Sequence, residues 1–210
     1  MQTWKLTIEF DGTNYHGWQE QSNARSVAGT LKKACEQILG QPIELMGSGR
    51  TDSGVHAFAQ VAHARLRRKV ALSPERARHD LNELLPADIV VLDLQETHPD
   101  FHARHDATSR SYLYQISTRK TAFNKRQVWW IKDRLNLQAM ADAASLLTGR
   151  HDFRNFAQPD HSKPGESTIV VVTAAEIGTA DDLILFRIEA SHFLWKMVRR
   201  IVGTLVKVGL

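Results

Sequence analysis

At 210 residues, with 42% apolar and 24% charged positions, the chain is long enough to bury a sizeable core and too apolar to stay disordered over most of its length. Its apolar runs are only a few residues long and its start carries no basic stretch followed by an apolar one, so neither a membrane span nor a secretory leader is expected, and a cytoplasmic protein is. The single cysteine, Cys35, excludes an internal disulfide and a thiolate metal cluster, and among apolar neighbours on an expected helix it reads as core.

The net charge is only +4, but the sequence pI is about 9.3 and the bases are clustered. Arg65, Arg67, Arg68 and Lys69 form one group, Arg119, Lys120, Lys125 and Arg126 a second, and Lys196, Arg199 and Arg200 a third. Separate basic patches suit a folded RNA touched at several phosphates, although each group alone also fits a solvated face.

In chain order, Trp4, Leu6, Ile8 and Phe10 alternate with polar residues and predict a half-buried strand. Ser26 is a good helix N-cap, and Val27, Leu31, Ala34 and Ile38 mark one face of a helix closed by Gly40. Strands are expected at Ile43 to Met46 and at Gln60 to Leu66, with a glycine-rich stretch joining their ends. Ser73-Pro74-Glu75 starts a second helix whose buried stripe is Ala77, Leu81 and Leu84, ended by Pro86. Ile89 to Leu94 is nearly all apolar, which predicts a strand in a central position. The first half therefore reads β-α-β-β-α-β.

The second half opens with a strand at Ser111 to Thr118, with Tyr112, Tyr114 and Ile116 on one face, and a short strand at Val128 to Ile131. A helix capped by Asn136 carries Leu137, Met140, Ala144 and Leu147 on one side and stops at Gly149. Thr168 to Ile177 and Leu183 to Ala190 form a hairpin around Asp181-Asp182, and a final helix runs from Phe193 to Val208. Gln158 to Glu166, with Pro159, Pro164 and Gly165, reads as a mobile loop able to close over a ligand. The order repeats the first half without its closing strand. The expected class is α/β (α+β), with a mixed, mostly antiparallel sheet and halves at 1–105 and 106–210.

The stretch Gly47-Ser48-Gly49-Arg50-Thr51-Asp52-Ser53-Gly54-Val55-His56-Ala57 sets three glycines around one acid and one base. A dinucleotide fingerprint needs a glycine where Asp52 stands, and a phosphate-binding P-loop needs a Gly-Lys-Ser/Thr run that is absent. The bland reading is a tight turn with Arg50 and Asp52 as a solvated pair. His98, His102 and His105 have a spacing that suggests metal ligands, but Pro99 interrupts any helix there and no zincin pattern is completed, so no metal site is expected.

Gly49 to Ala57 resembles the signature of the TruA family of tRNA pseudouridine synthases, and it does not stand alone. Phe10-Asp11-Gly12-Thr13-Asn14-Tyr15-His16-Gly17-Trp18-Gln19-Glu20-Gln21 is similar to that family's opening motif, with Phe10 where Tyr is usual. Asp100 to Arg104, Arg110 to Tyr114, Gly149 to Phe153 and Met197 to Gly203 resemble its later motifs, in order, across nearly the whole chain. The Gly165 to Val170 segment follows the pattern only loosely, which leaves open the contacts that choose the modified tRNA positions.

The resemblance implies two ferredoxin-like halves sharing one sheet with a central basic cleft. It also implies an isomerase of uridines in the anticodon stem-loop of tRNA, a homodimer, and no cofactor. It places Asp52 as the catalytic nucleophile or base, attacking the sugar carbon or the ring or removing a sugar proton. Tyr112 is expected to stack on the target base. Arg199 is expected to pair with Asp52 and Arg50 to contact RNA, roles that are exchangeable, with Thr51, Gly54, His102 and Arg104 in support. Because TruA-like proteins continue with a further helix and strand, the chain is also expected to be truncated at its C-terminus. Two other functions compete: a non-catalytic tRNA-binding module or RNA chaperone of the same fold, and an N-glycosidase, which needs a second carboxylate that the Asp52 loop lacks.

Overall fold

The structure, a computed structural model, describes residues 2–159, 165 and 167–210. The chain divides into two compact units, Met1–Ala107 and Thr108–Leu210. The loop expected to close over a ligand at Gln158 to Glu166 lies for the most part outside the described residues.

In the first unit the order is β1 (Gln2–Phe10), α1 (Val27–Leu39), β2 (Ile43–Gly47), β3 (Ala57–Leu66), α2 (Pro74–Leu84) and β4 (Ile89–Thr97), the expected β-α-β-β-α-β. The sheet order is β2-β3-β1-β4 and every pairing is antiparallel. The Ser26 hydroxyl accepts from the Gly29 N–H, and Gly40 closes α1 in the left-handed region at φ 61°, both as the sequence predicts. Alternate residues of β1 (Trp4, Leu6, Ile8, Phe10) pack with Leu31 and Cys35 of α1 and Leu81 of α2 into one core. Burial pushes the Cys35 thiol up to about 12.

Two expectations for this unit need correction. Leu84 is exposed, and Leu85, which caps α2, takes the buried place. The apolar β4 lies at the sheet edge and not at its centre. It tolerates that position because Ile89, Val91 and Leu94 face the core and because Asn82 of α2 substitutes for a neighbouring strand. The Asn82 side-chain oxygen accepts from the Val91 N–H at 2.8 Å and its amide donates to the Val91 carbonyl at 3.0 Å.

In the second unit the order is β5 (Arg110–Ser117), β6 (Trp129–Trp130), α3 (Leu137–Ser145), β7 (Gly149–Asp152), β8 (Ile169–Ala180), β9 (Leu183–Ala190) and α4 (Met197–Gly209), with sheet order β6-β5-β9-β8-β7. Among the described residues of this unit only the β5–β6 pairing is parallel. Ile116, Ile184, Phe186 and Ile188 of the sheet pack with Met140 of α3 and with Ile201, Val202 and Leu205 of α4. The described strands thus form two sheets, one antiparallel and one mixed, in keeping with the expected α/β (α+β) class of two halves.

Two helix boundaries differ by more than a residue or two. α3 ends at Ser145, and a tightened turn, with Leu147 N–H to Ala144 carbonyl at 3.0 Å, carries the chain to Gly149, which opens β7 and does not cap the helix. β7 itself is not predicted from the sequence. α4 begins at Met197, because Lys196 sits in the left-handed region at φ 61° and breaks the helical path expected from Phe193.

Candidate active site

Asp52 is half-buried in the loop that joins β2 to β3, between Thr51 and the exposed Ser53-Gly54 turn. That loop is held by the segment following β1, the other motif that stands out at the start of the sequence. On the N-terminal side of Asp52, the Trp18 N–H donates to the Thr51 carbonyl at 3.1 Å. On its C-terminal side, the Tyr15 carbonyl accepts from the Gly54 N–H at 3.3 Å and from the Ser53 hydroxyl at 3.2 Å. The loop closes on itself through the Val55 N–H to the Asp52 carbonyl at 3.2 Å.

The two segments approach so closely that side chains are excluded. A Cβ on Gly12 would lie 2.0 Å from the Val55 carbonyl oxygen, and one on Gly17, where φ is +86°, would lie 2.4 Å from the Thr51 carbonyl oxygen. At Gly47, the end of β2, a Cβ would fall 2.6 Å from the buried Trp18 ring. Gly12 and Gly17 thus serve close backbone approach, and Gly47 makes room for the Trp18 ring.

His56 closes the far end. Its Nδ1 lies 3.2 Å from the Gly12 N–H nitrogen and 3.0 Å from Asp11 Oδ1, so it accepts from the backbone when unprotonated there and donates to the carboxylate when protonated. Hydrogen bonding from Thr13 and the nearby His56 charge hold the Asp11 carboxyl below its usual range. Asp11, Tyr15 and His56 are positions that the sequence reading did not single out for a role. Only their presence inside the two motifs could have flagged them.

Of the other expected site residues in this unit, Arg50 and Arg104 are exposed. His102 sits in a turn after β4 beside two more imidazoles, its ring 4.9 Å from that of His63 and 4.1 Å from that of His105. Its Nδ1 accepts from the Arg104 and His105 N–H groups at 3.3 Å each, so the ring organises the turn that bears Arg104. His63 of β3 is buried and its Nδ1 accepts from the Ala103 N–H at 3.0 Å, fixing the same turn from below. Among the described residues no group of three or more His, Cys, Asp or Glu side chains is arranged to hold a metal ion.

In the second unit, Tyr112 and Tyr114 of β5 are both half-buried and pack against the core; Tyr112 meets Phe193 edge-on at 4.9 Å between ring centroids and Tyr114 meets Trp129 at 6.4 Å. Arg199 is exposed in the first turn of α4. The basic groups are not uniform. Arg65 lies 3.7 Å from Glu44, Arg119 pairs with Asp182, and Arg200 donates to the Ala157 carbonyl at 2.6 Å, whereas Arg67, Arg68 and Lys69 form an exposed run after β3.

A family model described as tRNA pseudouridine synthase matches residues 6–106 and 143–210, which include the Asp52 loop and the segment that holds it. The chain belongs to the tRNA pseudouridine synthase family. Relatives within it named tRNA pseudouridine synthase A include one from Thermoanaerobacter sp. (strain X514), 43% identical over 98% of this chain and 83% of its own length. One from Acetivibrio thermocellus is 38% identical over 100% of this chain and 85% of its own length. One from Maricaulis maris is 39% identical over 100% and 84%. No helix among the described residues of this synthase-family chain is long and apolar enough to cross a membrane.

Proposed function

We propose that this chain is a cytoplasmic, homodimeric isomerase that converts uridine to pseudouridine in the anticodon stem-loop of tRNA, with Asp52 as its nucleophile or base. The reaction breaks the bond between the sugar C1′ and N1 of uracil, turns the base, and joins C1′ to C5. The proton leaves C5 and N1 gains one, so there is no net redox change and no water is consumed. A single carboxylate can start this by attacking C1′, by adding to the ring, or by removing a sugar proton.

The observation that carries the reading is the double hold on the Asp52 loop. Thr51 is bonded on one side of Asp52 and Ser53-Gly54 on the other, both by the segment Tyr15 to Trp18, so the carboxylate is presented on a fixed backbone. Such preorganisation suits a reaction in which one group must meet one atom of an extruded nucleotide. Tyr112 offers an aromatic face and a hydroxyl for the base. Arg50 and Arg199 supply charge for the RNA, and Arg104, on the turn organised by His102, supplies more.

The test is to incubate the protein with unmodified tRNA transcript, quantify pseudouridine and free uracil, and map the modified positions by primer extension. Pseudouridine without free uracil supports the isomerase. Free uracil in its place supports a glycosidase, and tRNA binding with neither product supports a binding module. Sedimentation equilibrium reads the dimer.

A further inference from the structure

Three side chains distant in sequence, Tyr15, Arg25 and Asp88, meet at one phenolic oxygen behind the Asp52 loop. Tyr15 is only 2% exposed, its hydroxyl donates to Asp88 Oδ1 at 2.5 Å, and the same oxygen accepts from Arg25 Nη2 at 2.9 Å. The Arg25 guanidinium also lies 4.6 Å from the centroid of the Tyr15 ring. Burial first, and the Asp88 carboxylate second, push the phenol well above its ordinary range, so it stays protonated and remains a donor.

The backbone of the same residue faces the other way. The Tyr15 carbonyl accepts from Ser53 and Gly54, the two residues after Asp52. Asp88 adds a second tie, since its own carbonyl accepts from the Asp11 N–H at 3.0 Å, and the Arg25 carbonyl accepts from the His16 N–H at 2.9 Å. Gly54 itself is exposed, has φ +75° and has nothing within 4 Å of where a Cβ would stand, so at this residue the turn is tied to the rest of the unit by the hydrogen bonds to Tyr15. A core filled for packing alone would take phenylalanine at position 15, because a buried hydroxyl is costly unless it is partnered. Here it has a charged acceptor and a charged donor, the stronger class of hydrogen bond.

We propose that Tyr15, Asp88 and Arg25 are positioning residues for Asp52: Asp88 and Arg25 fix the Tyr15 side chain, and the Tyr15 carbonyl fixes the turn that aims the Asp52 carboxylate. The inference rests on Asp52 carrying the reaction. None of the three need touch substrate.

The experiment measures kcat, tRNA Kd and thermal unfolding for Tyr15→Phe, Asp88→Asn, Asp88→Ala, the Tyr15→Phe/Asp88→Ala double variant and Asp52→Asn, with turnover read well below each Tm. Displacing a reacting group by about 1 Å costs on the order of a hundredfold. Tyr15→Phe is therefore expected to lower kcat by about ten- to a hundredfold, with Kd within about twofold of wild type. Asp88→Asn keeps an amide oxygen to accept the phenol and is expected to retain more turnover than Asp88→Ala. The double variant is expected to be no slower than Tyr15→Phe, because both act through one link. Wild-type kcat in Tyr15→Phe beside an inactive Asp52→Asn overturns this inference alone. An active Asp52→Asn overturns the reading beneath it. If Tyr15→Phe does not fold, equal kcat in Asp88→Asn and Asp88→Ala overturns the inference.

Discussion

Replacing Gly17 by alanine separates the hold on the Asp52 loop from general stability. The left-handed backbone at φ +86° costs a non-glycine residue about 1–2 kcal/mol. The new methyl would stand 2.4 Å from the Thr51 carbonyl oxygen, so Thr51 or residue 17 must move and the 3.1 Å bond from Trp18 is lost, at a net cost of about 1 kcal/mol. Gly40→Ala is the control. Its φ is +61° and nothing lies within 4 Å of its Cβ position, so it carries the backbone cost alone, at the far end of α1.

The difference of about 1 kcal/mol or more corresponds to an additional fall in Tm of about 2–4 °C for a chain of this length. Turnover discriminates further. With both proteins assayed on tRNA well below their midpoints, Gly17→Ala is expected to lose on the order of a hundredfold in kcat, because Thr51 adjoins Asp52. Gly40→Ala is expected to match wild type. Equal kcat in the two alanine variants would refute the claim that the opening segment sets the geometry of the Asp52 loop.

Tyr112→Phe is expected to keep tRNA affinity and lose turnover if the hydroxyl moves a proton, whereas Tyr112→Ala should weaken both; two variants equal to wild type would remove Tyr112 from the site. His63 gives a pH signature. Burial first, then Arg65 and His102, against Glu44 and Asp106, push it from 6.5 to about 4, so between those values the unfolded chain binds a proton that the folded one does not. Stability is therefore full above pH 6.5 and falls as the pH drops towards 4. His63→Asn, whose amide oxygen can take the Ala103 N–H, should flatten that slope in denaturant titrations, and an unchanged slope would count against the buried neutral imidazole.

The elements of the first unit were legible because local signals agreed with tertiary packing, as with Ser26 and Gly40 around α1 or Ser73 before α2. Where the two disagreed, the sequence misled. The apolar run of β4 looks central, yet the run is set by the core face and by Asn82, a helix side chain whose bonding to Val91 no local pattern announces. Gly149 looks like a helix stop and instead opens a strand, because a tight turn ends α3 earlier.

At the site, Asp52 stood out as the acid in a glycine-rich loop. That Gly12, Gly17 and Gly47 serve its backbone did not, since spacing cannot reveal which carbonyl or ring an absent Cβ would strike. Tyr15 was still less visible. A tyrosine whose hydroxyl is held by Asp88 and whose carbonyl holds Gly54 joins segments dozens of residues apart.

Pseudouridine formation by Asp52→Asn is the decisive measurement. The substitution keeps the size of the side chain and its place between Thr51 and Ser53, and it removes only the ionisable group. With tRNA Kd and Tm unchanged, single-turnover formation of pseudouridine should fall to background. Wild-type turnover by Asp52→Asn would contradict the assignment of the reaction to this carboxylate.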